Sequence, residues 1–420
     1  MGFGFKYFRI CLAMIPLFLG SIQECLPAGS LTTLAKVNIP AERVKVSAAH
    51  ALATHKNSVS VPTSGQIYHS VFPGDGSIDA EENDVTPETL HSYEQAVGKT
   101  AAWVYFSHNW FQGHEFPLAN CNWIRNDGSL PFIRLMMRSS GEQDISEPVY
   151  SLDNIISGTF DADLRTWAQA VSAFGSPILV EFGTEVNGAW FSWNGIWNGA
   201  GTLDEYGDPT VADGPERFRD AYRHIIQITR DEGVSNITWV FHVYSEDIPE
   251  VSWNQLELYY PGNTWIDWIG VSIYGAETPM DTECDSFRTY MDAIYPRLAA
   301  LSPDKPITVL EIGTTRGNSV CRQDMWTRSA LTDLIAGRWK RVIGFSWWNE
   351  NWANDENPSH DTVMRVEDNL ALSGVFQDLV ASNPDVLGRY IFDDVIFSDG
   401  FEAITTYLDP SLVESVEKAK

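Results

Sequence analysis

From residue 67 onward the chain alternates short apolar runs with polar loops and stretches of helical period. Eight apolar runs stand out, at 67–72, 101–106, 132–137, 178–182, 237–241, 265–273, 307–311 and 342–348. They are rich in β-branched and aromatic residues and largely unbroken by polar positions, as in parallel strands covered on both faces. Helical segments fall between most of them. The clearest is 215–232, where Pro215 suits the first helical position and Gly233 the C-cap. There Phe218, Tyr222, Ile225, Ile226 and Ile228 recur at helical spacing and predict one buried face. Further helices are predicted at 161–173, 284–301, 323–336 and 368–381. Eight such βα units predict a single (β/α)8 TIM barrel over residues 65–385. A doubly wound open sheet is the alternative. The units are regular and no GxGxxG or GxxxxGK[ST] phosphate loop occurs, which favours closure.

The flanks read differently. Residues 1–28 predict a signal peptide, with Lys6 and Arg9 before the apolar run 11–20, which is too short to span a bilayer. Residues 29–64 form a lead-in without clear period, and 386–420 a short acidic tail containing Asp393, Asp394, Asp399 and Glu402. The expected location is therefore secreted or periplasmic. The net charge of −28 argues against nucleic acid, a membrane surface or a polyanionic substrate, and fits a soluble monomer acting on something neutral. Of the five cysteines, Cys11 and Cys25 fall in the predicted signal peptide, and Cys284 and Cys321 follow successive predicted strands and can bridge in an oxidising compartment, which leaves Cys121 over. No Cys/His spacing suggests structural zinc, and no metal or cofactor is expected.

In a barrel the chemistry sits where strands end. The fourth run leads into Gly183, Thr184, Glu185, Val186, Asn187 and Gly188, followed at once by Trp190, Phe191 and Trp193. The seventh carries Glu311 near its end, the sixth ends at Tyr274, the fifth at His242, the eighth at Trp347, Trp348 and Glu350, and the second at His108 and Trp110. Two carboxylates ringed by indoles, phenols and amides suit sugar chemistry. Aromatic faces cover pyranose C–H groups, and indoles exclude water and raise a carboxyl pKa. Glu185 and Glu311 are the candidate catalytic residues. Trp190, Trp193, Tyr274, Trp347, Trp348, His108, Trp110, His242 and Asn187 are the candidate substrate contacts. Glu181 is expected to be a structural partner for Arg134 or Arg138, and Glu350 a rim residue or a hydrogen-bonder to substrate.

These residues resemble a known family. EFGTEVNGAWFSWNG is similar to the acid-bearing motif of glycoside hydrolase family 26, the β-mannanase family of the retaining (β/α)8 clan. The resemblance continues through GPERFRDAYRHI, ITWVFH, YYPGNTWIDWIGVSIYG, ITVLEIGTT and FSWWNENW, in order, over roughly residues 65–380. It implies Glu185 as acid/base, Glu311 as nucleophile, Tyr274 as the residue that holds the nucleophile, and Trp347 or Trp348 as a wall of the sugar subsite. Three positions depart from the family pattern. Thr184 stands where a His usually precedes the acid, Glu181 stands where an Arg is usual, and WVFHVY replaces the usual Trp-Ser-Pro-Asn ending of strand five. Mannan is thus the family default, with β-1,3-xylan and mixed-linkage β-glucan open.

The expected function is a retaining endo-β-glycoside hydrolase acting on a neutral β-linked polysaccharide. Its rivals are a non-catalytic carbohydrate-binding barrel and a metal-dependent barrel hydrolase using His108 and His114.

Overall fold

The computed structural model describes residues 59–77, 82 and 84–390. The signal-peptide expectation and most of the lead-in and tail lie outside the described residues. Eight parallel strands form the frame: β1 (Ile67–Pro73), β2 (Trp103–Asn109), β3 (Leu130–Met136), β4 (Ile178–Phe182), β5 (Ile237–Tyr244), β6 (Trp268–Tyr274), β7 (Ile307–Gly313) and β8 (Val342–Asn349). They pair in sequence order, and β8 pairs back onto β1, with Tyr68 opposite Gly344 and Pro73 opposite Asn349. The sheet is therefore a closed (β/α)8 barrel with no open edge.

One principal helix follows each strand: α1 (Pro87–Val97), α2 (Leu118–Asp127), α3 (Asp161–Phe174), α4 (Asp213–Asp231), α5 (Leu256–Tyr259), α6 (Phe287–Leu301), α7 (Gln323–Ile335) and α8 (Leu370–Phe376). Helix α4 starts two residues before Pro215, its first turn carrying Asp213 and Glu216 where negative charge meets the helix N-terminus. It buries Phe218, Tyr222, Ile225 and Ile226 against the barrel, the face that its periodicity predicts. Helix α8 is shorter than predicted and continues through a wider turn over Gln377–Ala381. Among the described residues, no helix is long and apolar enough to cross a membrane.

Strand alternation sorts side chains into the barrel or out toward the helices. Inside, Tyr68, Phe132 and Trp268 pack edge-on around Trp103, whose indole N–H donates to Ser346 Oγ at 2.7 Å. The lead-in closes this floor, because the Val59 N–H donates to Thr238 Oγ1 at 3.0 Å. The tail also begins inside the fold: Val386 and Leu387 form a short parallel strand beside Ile67 and Tyr68, so the barrel unit extends past residue 385.

The upper end of β7 breaks alternation. Val271 pairs with Val309 but the next residue, Ser272, pairs with Glu311, and on the other side Val309 pairs with Phe345 while Ile312 pairs with Trp347. One extra residue is thus accommodated, which is a β-bulge. Leu310 packs inside, where a Cβ on Gly270 would stand 2.3 Å from its Cδ1. Its neighbour Glu311 also faces inside.

Candidate active site

The β4 strand delivers Glu185 through a strained turn. Gly183 has φ 76°, and a Cβ there would lie 2.2 Å from the Phe218 ring, so only glycine fits. Glu185 itself has φ 49°, in the left-handed region that non-glycine residues seldom occupy, at a cost of order 1–2 kcal/mol. The turn aims its carboxyl at the barrel mouth, where it is only 4% exposed. Glu185 Oε2 accepts the Trp190 indole N–H at 2.8 Å.

The bulge on β7 delivers Glu311 to the same place. Tyr274 donates its hydroxyl to Glu311 Oε2 at 2.8 Å, and Arg134 Nη2 lies 3.6 Å from Oε1. One carboxylate oxygen of Glu185 lies within 4.8 Å of one of Glu311, and a ring nitrogen of His242 lies within the same distance of both. Burial raises the pKa of both glutamates. For Glu185 it is opposed by His242, Ser272, Trp190 and Arg134. For Glu311 burial is opposed by Arg134 and reinforced by the Glu185 charge, and its pKa is pushed up to about 7. Burial thus raises both carboxyls, and the charge of Glu185 further opposes ionisation of Glu311.

Beneath the pair lies a charged layer. Arg134, fully within the barrel, pairs with Glu82 at 2.8 Å and stands 3.7 Å from Glu181. Its guanidinium also sits 5.2 Å over the Trp348 ring and 5.5 Å over Tyr105. Glu181 accepts the hydroxyls of Tyr105 and Thr184, each at 2.5 Å, and lies 2.9 Å from His242 Nδ1. Burial alone would raise Glu181, but His242 and then Arg134 outweigh it and hold the carboxyl below its usual range. Burial likewise opposes charge on His242, and Glu181 outweighs it, so that pKa is raised. Of the two partners considered for Glu181, the structure brings Arg134 to it. Arg138 instead donates to Asn109 Oδ1 at 3.0 Å.

The other predicted contacts divide by strand face. Trp348 faces the mouth and stacks on Phe72 at 4.1 Å. Trp347, one residue earlier, faces outward, packs edge-on against Phe376 and donates to the Met364 carbonyl at 2.9 Å. Trp193 donates to the Thr184 carbonyl and stacks on Phe191, which makes it a prop behind the turn. The Asn187 side-chain amide reaches the Tyr244 and Glu246 carbonyls, each at 3.0 Å, and ties the loops after β4 and β5 together. Trp110 is 1% exposed and stacks on His114, away from the pair. His108 lies on the outer side of β2, lining a separate cavity of about 200 Å³ with Phe106, Gln112 and Glu115, and burial lowers its pKa to about 4. Glu350 is buried against Gly74, and burial raises its pKa well above the usual range.

Tyr105, Ser272 and Glu82 were not singled out from the sequence. Alternation along β2 and β6 could have placed Tyr105 and Ser272 inside, but nothing in the sequence marks Glu82. Among the described residues, two groups of acidic and imidazole side chains are close enough to share a cation: His91 with Glu94 and Asp127 on the surface, and Glu185 with His242 and Glu311 in the mouth. In the second, both imidazole nitrogens already face protein partners, Glu181 and Ser272. The mouth is thus arranged as two adjacent carboxyls, one beside an indole donor and one beside a phenol and a guanidinium.

Residues 146–310 match the model of glycosyl hydrolase family 26. The chain is similar to endoglucanase H of Acetivibrio thermocellus, 24% identical over 270 residues that make up 63% of this chain and 27% of that protein. It is also similar to a β-1,3-xylanase of a Vibrio species, 26% identical over 137 residues, 32% of this chain and 24% of that one. The chain thus spans about a quarter of the length of these curated relatives. Among solved structures, an endo-β-1,4-mannanase of Cellulomonas fimi superposes with a TM-score of 0.53 at 18% identity, over 77% of this chain and 72% of that chain, a likeness of fold.

Proposed function

We propose that the chain, whose residues 146–310 match the model of glycosyl hydrolase family 26, is a member of that family and a retaining endo-β-glycosidase acting on a neutral β-linked polysaccharide. The observation that carries this reading is the approach of the Glu185 and Glu311 carboxylates to within 4.8 Å at the barrel mouth. Retaining glycosidases hold their carboxyls about 5–5.5 Å apart, whereas inverting ones leave about 6.5–9.5 Å for an intervening water.

Glu311 attacks the anomeric carbon while Glu185 gives its proton to the departing glycosidic oxygen. The bond that forms is a glycosyl ester on Glu311, and the bond that breaks is the glycosidic C–O. In the second step Glu185 takes a proton from water, the hydroxide oxygen displaces Glu311, and the sugar leaves with its original configuration. Burial supports Glu185 as the acid, because it raises the pKa of the carboxyl, while the Trp190 N–H at 2.8 Å fixes the direction of that carboxyl. Tyr274 and Arg134 support Glu311 as the nucleophile, because they favour its charged form.

The family default is β-1,4-mannan. The similar curated proteins bear the names of an endoglucanase and a β-1,3-xylanase, so mixed-linkage β-glucan and β-1,3-xylan belong in the same trial. The net charge of −28 fits a neutral glycan, and with the leader-like first residues it fits action outside the cytoplasm. The test is release of reducing ends from these three glycans, with product stereochemistry followed by NMR. Initial release of the β-anomer is expected. Binding without cleavage, or initial release of the α-anomer, overturns the proposal.

A further inference from the structure

Three residues around the acid/base, Glu181, Thr184 and His242, lie on β4, the turn after it and β5. In this chain they are connected. Glu181 Oε2 lies 2.9 Å from His242 Nδ1, a buried ion pair. On the other side of the ring, His242 Nε2 lies 2.7 Å from Ser272 Oγ. A His242 ring nitrogen lies within 4.8 Å of a Glu185 carboxylate oxygen, and Ser272 favours the charged form of Glu185. Glu181, His242 and Ser272 are each fully buried, so no bulk water competes for these contacts.

We propose that Glu181, His242 and Ser272 form a buried relay that ends on Glu185 and acts on it as a set of positioning residues, an inference that rests on Glu185 being the acid/base of the preceding section. Glu181 is the fixed anion. It faces Nδ1, which must therefore carry a proton. Nε2–H then donates to Ser272 Oγ, which leaves the Ser272 O–H to donate to Glu185. When Glu185 gives up its proton to the glycosidic oxygen, the new carboxylate keeps this donor, with the His242 cation standing one residue behind it. When water restores the proton, the relay is unchanged. No net proton leaves the layer.

His242 meets charged or titratable groups from five strands and the turn after β4. From β2 comes Tyr105, whose hydroxyl is 3.4 Å from Nδ1. From β3 comes Arg134, reaching Glu181. From β4 comes Glu181, and Glu185 from the turn beyond it. From β6 comes Ser272, and from β7 Glu311. Three carboxylates around one imidazole favour its charged form, and that form in turn draws down the proton affinity of the pair.

Titration of the full-length protein tests this directly. With 15N-labelled histidine, the His242 ring is expected to stay doubly protonated through pH 7 in the wild type and to lose that proton at lower pH in Glu181→Gln. With 13C-carboxyl-labelled glutamate, Ser272→Ala is expected to raise the Glu185 titration by about one pH unit, and His242→Asn to raise both carboxyls. On the glycan, Ser272→Ala should lower kcat about tenfold to a hundredfold with KM little changed, and lose less on an aryl glycoside whose leaving group needs no protonation. A His242 ring already neutral at pH 6, or carboxyl titrations unmoved in Ser272→Ala, overturns the relay. These titrations need no turnover. An inert wild-type protein with shifted titrations would therefore strike only the assignment of hydrolysis.

Discussion

Leu310 and Glu311 are consecutive in β7, yet both face the inside of the barrel, Leu310 against Gly270 and Glu311 beside Arg134 and Tyr274. Strict alternation would have turned one of them toward the helices. The extra residue in the ladder places a packing side chain and a reacting one on the same side, in successive layers. The proposed chemistry depends on this irregularity.

If Glu311 is the nucleophile and Glu185 the acid/base, azide separates their roles. Each alanine variant should lose at least about a thousandfold in kcat while keeping the wild-type fold by circular dichroism. Azide occupies the emptied nucleophile site in Glu311→Ala and should yield an α-glycosyl azide. In Glu185→Ala it intercepts the glycosyl-enzyme and should yield the β-azide. NMR of the product anomers checks both, and the same anomer from both variants contradicts the assignment.

The two adjacent tryptophans of β8 should behave differently. Trp348 lies over Arg134 at the mouth, so Trp348→Ala should reduce kcat/KM by tenfold or more with a modest change in stability. Trp347 is buried against Phe376 on the outer face, so Trp347→Ala should cost about 3–5 kcal/mol of stability, with kinetics near normal where the protein remains folded. Denaturant unfolding and steady-state kinetics on the two variants provide the comparison.

The Glu311 carboxyl should make the fold less stable as pH rises. Its folded pKa is pushed up to about 7, above the 4.5 of an unperturbed glutamate. Between those values the folded state holds a proton that the unfolded state has lost, so stability falls with rising pH across this window. Glu311→Gln removes the cost of burying the charge. It should be more stable than wild type above pH 7, by on the order of 1–3 kcal/mol, with the gain vanishing below about pH 4.5. Thermal unfolding at pH 4, 6 and 8 measures this. A constant difference across the range would mean the effect is packing rather than charge.

Cys284 and Cys321 form a disulfide, with 37 residues of separation and Cα atoms 5.5 Å apart, linking the loops after β6 and β7. Those strands carry Tyr274 and Glu311. Removing the bridge in Cys284→Ser/Cys321→Ser should cost at most about 3–4 kcal/mol through the entropy of the unfolded chain. Reductant should lower the melting temperature of the wild type toward that of the double variant and leave the variant itself unchanged.

The sequence by itself determined the architecture and the position of the two glutamates along it. Eight apolar runs separated by helical periods define a barrel, and Glu185 and Glu311 fall at the ends of the fourth and seventh because the order of strands is the order of the chain. Helix α4 was legible to within two residues, since its apolar face and first-turn charges are local features. What a side chain faces was not legible, because it depends on register with strands far away in sequence. The bulge that turns Glu311 inward exists only against β6 and β8. The choice of Trp348 over Trp347 follows from the pairing of β8 with β1. Trp193, Asn187, Trp110 and His108 lie close in sequence to strand ends, and their neighbours direct each to packing, loop tethering or the outer face. The parallel registers of β3, β4 and β5 also decided the buried charge layer, since they set Arg134 opposite Glu181 and bring His242 to it below the reacting pair.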